Sequence, residues 1–393
     1  PIRDVVSMVK LKASYGLVGN DQIGGDRRFI YNETVIGGGK YYFGTTPSQY
    51  TSVRLGEFPN PNVGWEKAKK LNLGADLSFF NQLNISVDYF KENREGIFLQ
   101  RKSIPMYVGL STKPWVNIGK MRNSGIDASL EYHQPLGKDL HLTVRGNFTY
   151  ARNRIMDQDE PDYAYTYMNH SGQMQWQKFG LVAAGLFQDQ EDIDSWAKQS
   201  FGEVKPGDIK YLDLNGDGIV DNYDTKPIGY SDIPEIVYGF GFSLQWKAFD
   251  LSAFFQGVAH VSFSTLTDQT QAFVGRNLKE SSVFADLYGN TWTPENPGAK
   301  YPRMTTGAID NNNQLSTFWM ANGRYLRLKN LELGYTLPKR IANKIAMQSL
   351  RVYLSGVNLF TFSPFKLWDP DLQTGATNYP NNRIINLGLT IGF

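Results

Sequence analysis

The 393-residue chain has no cysteine, so it can form neither disulfides nor thiolate sites. It also lacks any apolar run of roughly 18 residues, the length an α-helix needs to cross a bilayer. That excludes a helical membrane protein but not a barrel, whose strands are apolar on one face only. Charge is nearly balanced, with 40 Lys and Arg against 38 Asp and Glu, so no global field draws the chain to nucleic acid. The four histidines, His133, His141, His170 and His260, are scattered, and none has the spacing of a metal pair. No Gly-x-Ser-x-Gly elbow is present, and Gly37-Gly38-Gly39-Lys40 lacks the spacing of a phosphate loop. With no catalytic set in view, the chain is expected not to be an enzyme. Residues 1–10 lack the apolar core and cleavage site of a secretory signal and run straight into a strand. The sequence therefore reads as the back part of a longer protein.

Aromatic residues are plentiful, at 14% of the chain, and so is strict alternation. In the last eleven residues Ile385, Leu387, Leu389, Ile391 and Phe393 share one face, while Asn386, Gly388, Thr390 and Gly392 share the other. An apolar edge strand invites aggregation, and closing the sheet into a barrel removes the edge. The pattern recurs. Leu73, Ala75, Leu77 and Phe79 oppose Asn72, Gly74, Asp76 and Ser78; Ile85, Val87 and Tyr89 oppose Asn84, Ser86 and Asp88; Tyr238, Phe240, Phe242, Leu244 and Trp246 oppose Gly239, Gly241, Ser243 and Gln245. Similar segments lie around residues 11–16, 126–132, 142–150, 251–256, 324–335 and 350–362. These make roughly ten strands, each near the nine to eleven residues that cross a bilayer at a tilt. In the segment 324–335, Leu326 and Leu328 lie on the opposite parity to Leu331, Leu333 and Tyr335. A bulge would shift the phase, and so would a crossing from membrane to water near Arg327 and Lys329. The polar faces carry Asp76, Asp88, Glu131 and Arg145, which are costly in a dry core and comfortable in a wet lumen.

Connection lengths alternate. Residues 17–65, 100–121, 155–235, 264–323 and 363–382 form long links; 81–82, 135–139 and 247–249 form short ones, and 336–349 is intermediate, with a helix expected at residues 339–347 after Pro338. In an up-and-down antiparallel barrel every second connection falls on the same side. All the long links therefore share one end, as in outer-membrane barrels with long extracellular loops and short periplasmic turns. Phe393 then falls at the periplasmic end. The expected fold is an all-β transmembrane antiparallel barrel.

Within the loop at residues 155–235, Asp213-Leu-Asn215-Gly-Asp217-Gly218-Ile219-Val-Asp221-Asn-Tyr-Asp224 fits an EF-type calcium loop. Asp213, Asn215 and Asp217 take positions one, three and five. Gly218 allows the turn at six, the Ile219 carbonyl serves seven, Asp221 nine and Asp224 twelve. Calcium suits a flexible shell of hard oxygens, and without a cation the carboxylates repel. The flanks do not read as helices, so the expected role of Ca2+ is structural, pinning a rim loop. The alternative is a polar Asx-turn loop without metal. Tyr163, Tyr165, Tyr167, Trp176, Trp292, Trp319 and Tyr379 also fall in long loops, where aromatic faces stack on sugars or apolar side chains, or pack the loops together.

Several stretches resemble the SusC/RagA family of TonB-linked outer-membrane transporters: Ala13-Ser-Tyr-Gly16 with Gly19-Asn20, Asn60-Pro-Asn62 with Trp65-Glu66-Lys67, Asn117-Ile-Gly-Lys-Met-Arg-Asn-Ser-Gly125, Gly207-Asp-Ile-Lys-Tyr211, Asp213-Leu-Asn-Gly-Asp-Gly218, Phe254-Phe-Gln-Gly257, Tyr325-Leu-Arg-Leu-Lys-Asn330 with Leu333-Gly-Tyr335, and Asn358-Leu-Phe360. The resemblance runs along residues 1–393 and corresponds to the C-terminal part of that family's barrel. It implies a barrel of about 22 strands in the outer membrane of a Bacteroidota bacterium, surrounded by outer-membrane lipid. It further implies a SusD-like surface lipoprotein as lid, import of oligosaccharides or peptides, and energy from the TonB complex through an N-terminal plug and TonB box not seen in this sequence. The alternative of a different class is a secreted calcium-binding β-rich carbohydrate-binding module.

Overall fold

The computed structural model describes residues 5–22, 27–110, 112–267, 270–271, 284–345, 347–375 and 378–392. Ten strands form one antiparallel sheet: β1 Val6–Asn20, β2 Glu66–Phe79, β3 Leu83–Gln100, β4 Trp115–Leu136, β5 Leu140–Asp157, β6 Ile236–Trp246, β7 Phe249–Ala259, β8 Tyr325–Thr336, β9 Ser349–Phe362 and β10 Ile384–Gly392. Each strand pairs with the next in sequence, so the topology is a plain meander. Short turns join β2 to β3, β4 to β5 and β6 to β7, and the long links all leave from the opposite end. The strands run from 9 to 22 residues. The longest therefore project past the bilayer at the long-loop end.

Register fixes two faces. Val9, Leu77, Ile85, Leu130, Gly146, Phe240, Phe255, Leu328 and Phe360 form one row across nine strands. The row on the other face is Lys10, Asp76, Ser86, Ser129, Asn147, Gly239, Gln256, Arg327 and Thr361. The polar face is the concave one: a hollow of about 580 Å³ on it is lined from Met8 of β1 to Phe254 of β7. The apolar face is open, with Leu11 80% and Leu387 79% exposed. In a soluble module these side chains would converge on a core; here they form a continuous lipid-facing belt, bordered near the short turns by Trp246, Phe249 and Tyr335.

The phase break in β8 is a bulge. Phe254 pairs with Asn330 and Phe255 with Leu328, leaving Lys329 as the extra residue. Leu326, Leu328, Leu331 and Leu333 thereby all face outward. The paired strand β9 absorbs the same irregularity at Asn358, whose φ is +53°. The connection after β8 carries a short helix, α1 Lys339–Ala342, continued as a 3₁₀ turn at Asn343–Ile345, in place of the helix expected through residue 347. Phe393 lies outside the described residues.

The principal packed core lies off the sheet. Leu181, Leu186, Ile209, Tyr211 and Val220 from the link after β5 pack against Leu287, Trp292, Tyr301 and Trp319 from the link after β7. The two longest loops thus form one body above the barrel wall. The link after β1 carries its own hairpin, Val35–Phe43 with Ser48–Leu55.

Candidate functional site: lumen wall and rim loops

The lumen wall is charged and internally paired. Lys12 Nζ lies 2.7 Å from Asp76 and 3.0 Å from Asp88, and Ser86 Oγ donates to Asp76 at 2.7 Å. Arg145 Nε donates to Glu131 at 2.8 Å. The four charges expected on the wet face are therefore there, two per network. Arg351 joins Asp250 and Glu332 lower in the wall. Arg327, only 2% exposed, binds Asp371 at 2.8 Å, Asp369, and Thr361 at 3.0 Å. This clamp folds residues 369–371, from the link after β9, down onto the wall.

In the rim body Asp208 is fully buried. Arg303 grips it with Nε–Oδ1 at 2.8 Å and a second bond at 3.1 Å, and Asn312 Nδ2 donates to it at 2.9 Å. Asn312 Oδ1 accepts from the Ile209 amide, Asn311 Nδ2 donates to the Ile209 carbonyl, and the Tyr211 hydroxyl donates to the Asn311 carbonyl. Burial pushes the Tyr211 phenol far above its ordinary pKa. Every one of these bonds joins one long loop to the other. Of the two roles the sequence left open for the loop aromatics, ligand stacking or packing between loops, Trp292 and Trp319 take the second: they are core residues, 9% and 3% exposed. Their indoles fill the space between the loops, which is where their large apolar area is best buried.

The calcium-type loop is tightly curled. Asp213 accepts from the amides of Gly216 and Gly218 at 2.7 and 2.8 Å; Asn215 Oδ1 accepts from Asp217 N, and Asp217 Oδ1 from Ile219 N. Asp221 accepts from Tyr223 N at 2.7 Å. Asp224, fully buried, accepts from Leu214 N and Asn215 N on one oxygen and Asp221 N on the other. Gly218 has φ +83°, the left-handed turn that position six requires. Short strands, Ile209–Tyr211 and Lys226–Pro227, flank the loop in place of helices, and a 3₁₀ turn at Asn222–Asp224 closes it. The donor set is all hard oxygen, the ligand type that calcium takes. The carboxylates meet amides rather than a common centre, and no group of three or more His, Cys, Asp or Glu among the described residues converges on one point.

Tyr165 and Tyr167 stack beside this loop with centroids 5.4 Å apart and planes 5° apart. The Tyr167 hydroxyl donates to the Tyr223 carbonyl at 2.7 Å, and Tyr223 is half exposed. Burial raises the Tyr167 pKa, and the Asp224 charge adds to it. Tyr163 lies against His170, whose ring stacks on Phe179 at 3.9 Å. Trp176 and Tyr379 stay exposed. A cleft of about 570 Å³ that the sequence did not reveal runs between the rim body and residues 364–367, lined by Phe284, Phe318, Phe365 and Lys300. Lys300 and the Tyr301 hydroxyl hold the Asp286 carboxyl below its usual range.

Residues 30–359 match the family described as TonB dependent receptor-like, beta-barrel. TonB-dependent receptor P3 of Formosa agariphila is 29% identical over 99% of this chain and 40% of its own length. TonB-dependent receptor SusC of Bacteroides thetaiotaomicron is 26% identical over 99% of this chain and 38% of its own length. The solved RagAB peptide importer in its open-open state shares the fold, with a TM-score of 0.72 at 22% identity over 99% of this chain and 40% of that one. The chain spans about 40% of the length of the curated relatives it matches. The ten-stranded meander, with its apolar outer belt and charged inner wall, agrees with a match to a β-barrel family, and the chain belongs to the TonB-dependent receptor β-barrel family of the bacterial outer membrane.

Proposed function

We propose that residues 1–393 are the C-terminal wall and rim of an outer-membrane nutrient importer. It takes up oligosaccharides, or peptides, beneath a SusD-like surface lipoprotein, with energy from the TonB complex delivered through a plug outside this sequence. The observation that carries the reading is the rim body: two loops about a hundred residues apart share one core and one buried ion pair above a wet, charge-paired wall. Such a rim suits the seating of a lid, and the wall beneath it offers a charge-paired polar surface. The stacked tyrosines 165 and 167 favour a sugar face. The relation to a structure named as a peptide importer favours the peptide reading. On this reading the chain serves as part of a transporter rather than as an enzyme, in keeping with the receptor-barrel family it belongs to. The test is affinity isolation from detergent-solubilised outer membranes. A co-purifying lid lipoprotein, with oligosaccharide or peptide bound to the pair, supports the proposal. Isolation of the protein alone, with neither ligand class retained, contradicts it.

The same reading gives the loop at residues 155–235 an extracellular position and a bound Ca2+. Asp213, Asn215, Asp217, the Ile219 carbonyl, Asp221 and Asp224 would hold the ion, which supplies charge compensation and stiffness. Support comes from the ligand pattern and the Gly218 turn. Isothermal titration after chelation should show calcium binding that Asp217→Ala abolishes; no binding in the parent protein would sink it.

A further inference from the structure

Above the apolar belt, on the lipid-facing side of β3–β5, the sheet carries a basic groove. The last apolar row there is Tyr89, Ile126 and Tyr150. The next row toward the long loops is Lys91, Ser124 and Arg152, and the one after is Asn93, Arg122 and Arg154. A hollow of about 270 Å³ opens between Tyr89, Ile126 and Tyr150 below and the three arginines above. Arg122 and Arg154 are directly opposite in register. Like charges so placed destabilise a strand pair. Arg152 is matched by Glu235 at 2.5 Å. Among the described residues Arg122 binds only the Asn93 carboxamide, at 3.2 Å, and Arg154 the Gly172 carbonyl, at 2.7 Å. These neutral partners orient the two guanidiniums and leave their charge unmatched.

We propose that this groove binds the phosphorylated headgroup of an outer-leaflet lipid. The phosphate sits between Arg122 and Arg154, and the acyl chains run down the belt over Tyr89, Ile126 and Tyr150. Guanidiniums suit phosphate through bidentate, charge-assisted bonds. The groove opens onto the lipid face rather than the lumen. Its floor continues the belt without a break, which distinguishes an anchored lipid from a free anion. Basic pockets at the membrane surface hold lipid headgroups on the same physical terms.

The experiment uses the full-length outer-membrane protein, delipidated in detergent. It is titrated with bis-phosphorylated lipid A, the same lipid without its phosphates, and inorganic phosphate, with bound lipid read by native mass spectrometry. The phosphorylated lipid should be retained over its dephosphorylated form. The pair Arg122→Gln and Arg154→Gln should weaken its binding by about tenfold or more. The matched pair Lys138→Gln and Lys339→Gln, at the short-turn end, should leave it unchanged. If the arginine pair does not give the heat-modifiable migration of a folded barrel, Ser124→Glu, which puts a carboxylate into the groove, should produce the same loss. Equal retention of both lipids, or retention unaffected by either groove variant, overturns the proposal. Full displacement of the lipid by millimolar inorganic phosphate also overturns it, because the acyl chains would then add nothing.

Discussion

Replacing Arg303 with Met should loosen the rim while leaving the barrel intact. Arg303 supplies two hydrogen bonds and the only cation on the fully buried Asp208 among the described residues. Removing one member of a buried pair costs about 3–5 kcal/mol, because the other charge is left without compensation. Here the lower end, about 3 kcal/mol, is expected. Asp208 keeps the Asn312 carboxamide and the Lys205 amide at 2.9 and 2.8 Å, and Arg303 is itself 22% exposed. The loss is local, since the pair joins two loops and touches no barrel strand. Hydrogen exchange should therefore accelerate by about a hundredfold at residues 207–212 and 311–319, and not at β4 or β5. The double variant Asp208→Asn with Arg303→Met removes both charges and should recover much of the protection. Unchanged exchange in Arg303→Met, or equal acceleration across the strands, would refute the idea that the two loops are one cooperative body.

Two further outcomes follow from the faces and the loops. Leu387→Arg puts a cation on the lipid-facing side of β10, where Leu387 pairs with Leu354. It should cost about 2–4 kcal/mol if the site lies near the midplane and lower the heat-modifiable folded fraction. Asn386→Arg on the wet face should cost little. Burial lowers the pKa of His170, which stacks on Phe179 outside the membrane segments. The folded state therefore binds fewer protons than the unfolded one just below the ordinary histidine range. The stabilisation is present above that range and is lost as pH falls through the lowered value. Proteolysis of the loop around residue 170 should accelerate on acidification in the parent and not in His170→Gln.

The strands were legible because each one buries a single face, and alternation is the direct record of that. Parity marked a phase break between Leu328 and Leu331 that a bulge or a membrane-to-water crossing would explain alike, and the strand pairing makes it a bulge at Lys329. Strand ends were less legible. β4 begins at Trp115, yet residues 117–123 show no alternation of hydrophobicity, because neither face lies against acyl chains there. The rim body was the least legible. Asp208 and Arg303, Tyr211 and Asn311, and Ile209 and Asn312 meet across about a hundred positions of non-periodic sequence. The one signal that could have pointed there, the triplet Asn311-Asn312-Asn313, was passed over; such side chains can replace backbone partners. The tryptophans pointed to the right loops and left their role open, since an indole stacks on a ligand or on a neighbouring loop by the same physics.

The absence of native cysteine from residues 1–393 allows a direct test of the barrel. Single cysteines would be placed at successive positions 84–89 of β3 in the full-length protein, assembled in outer membranes and treated with a water-soluble maleimide. The account predicts a period of two. Positions 84, 86 and 88 react through the lumen, while 85, 87 and 89 are shielded by lipid until the membrane is dissolved and the protein denatured. Equal reactivity at both parities, or reaction at 85 and 87 with protection at 86 and 88, would contradict it.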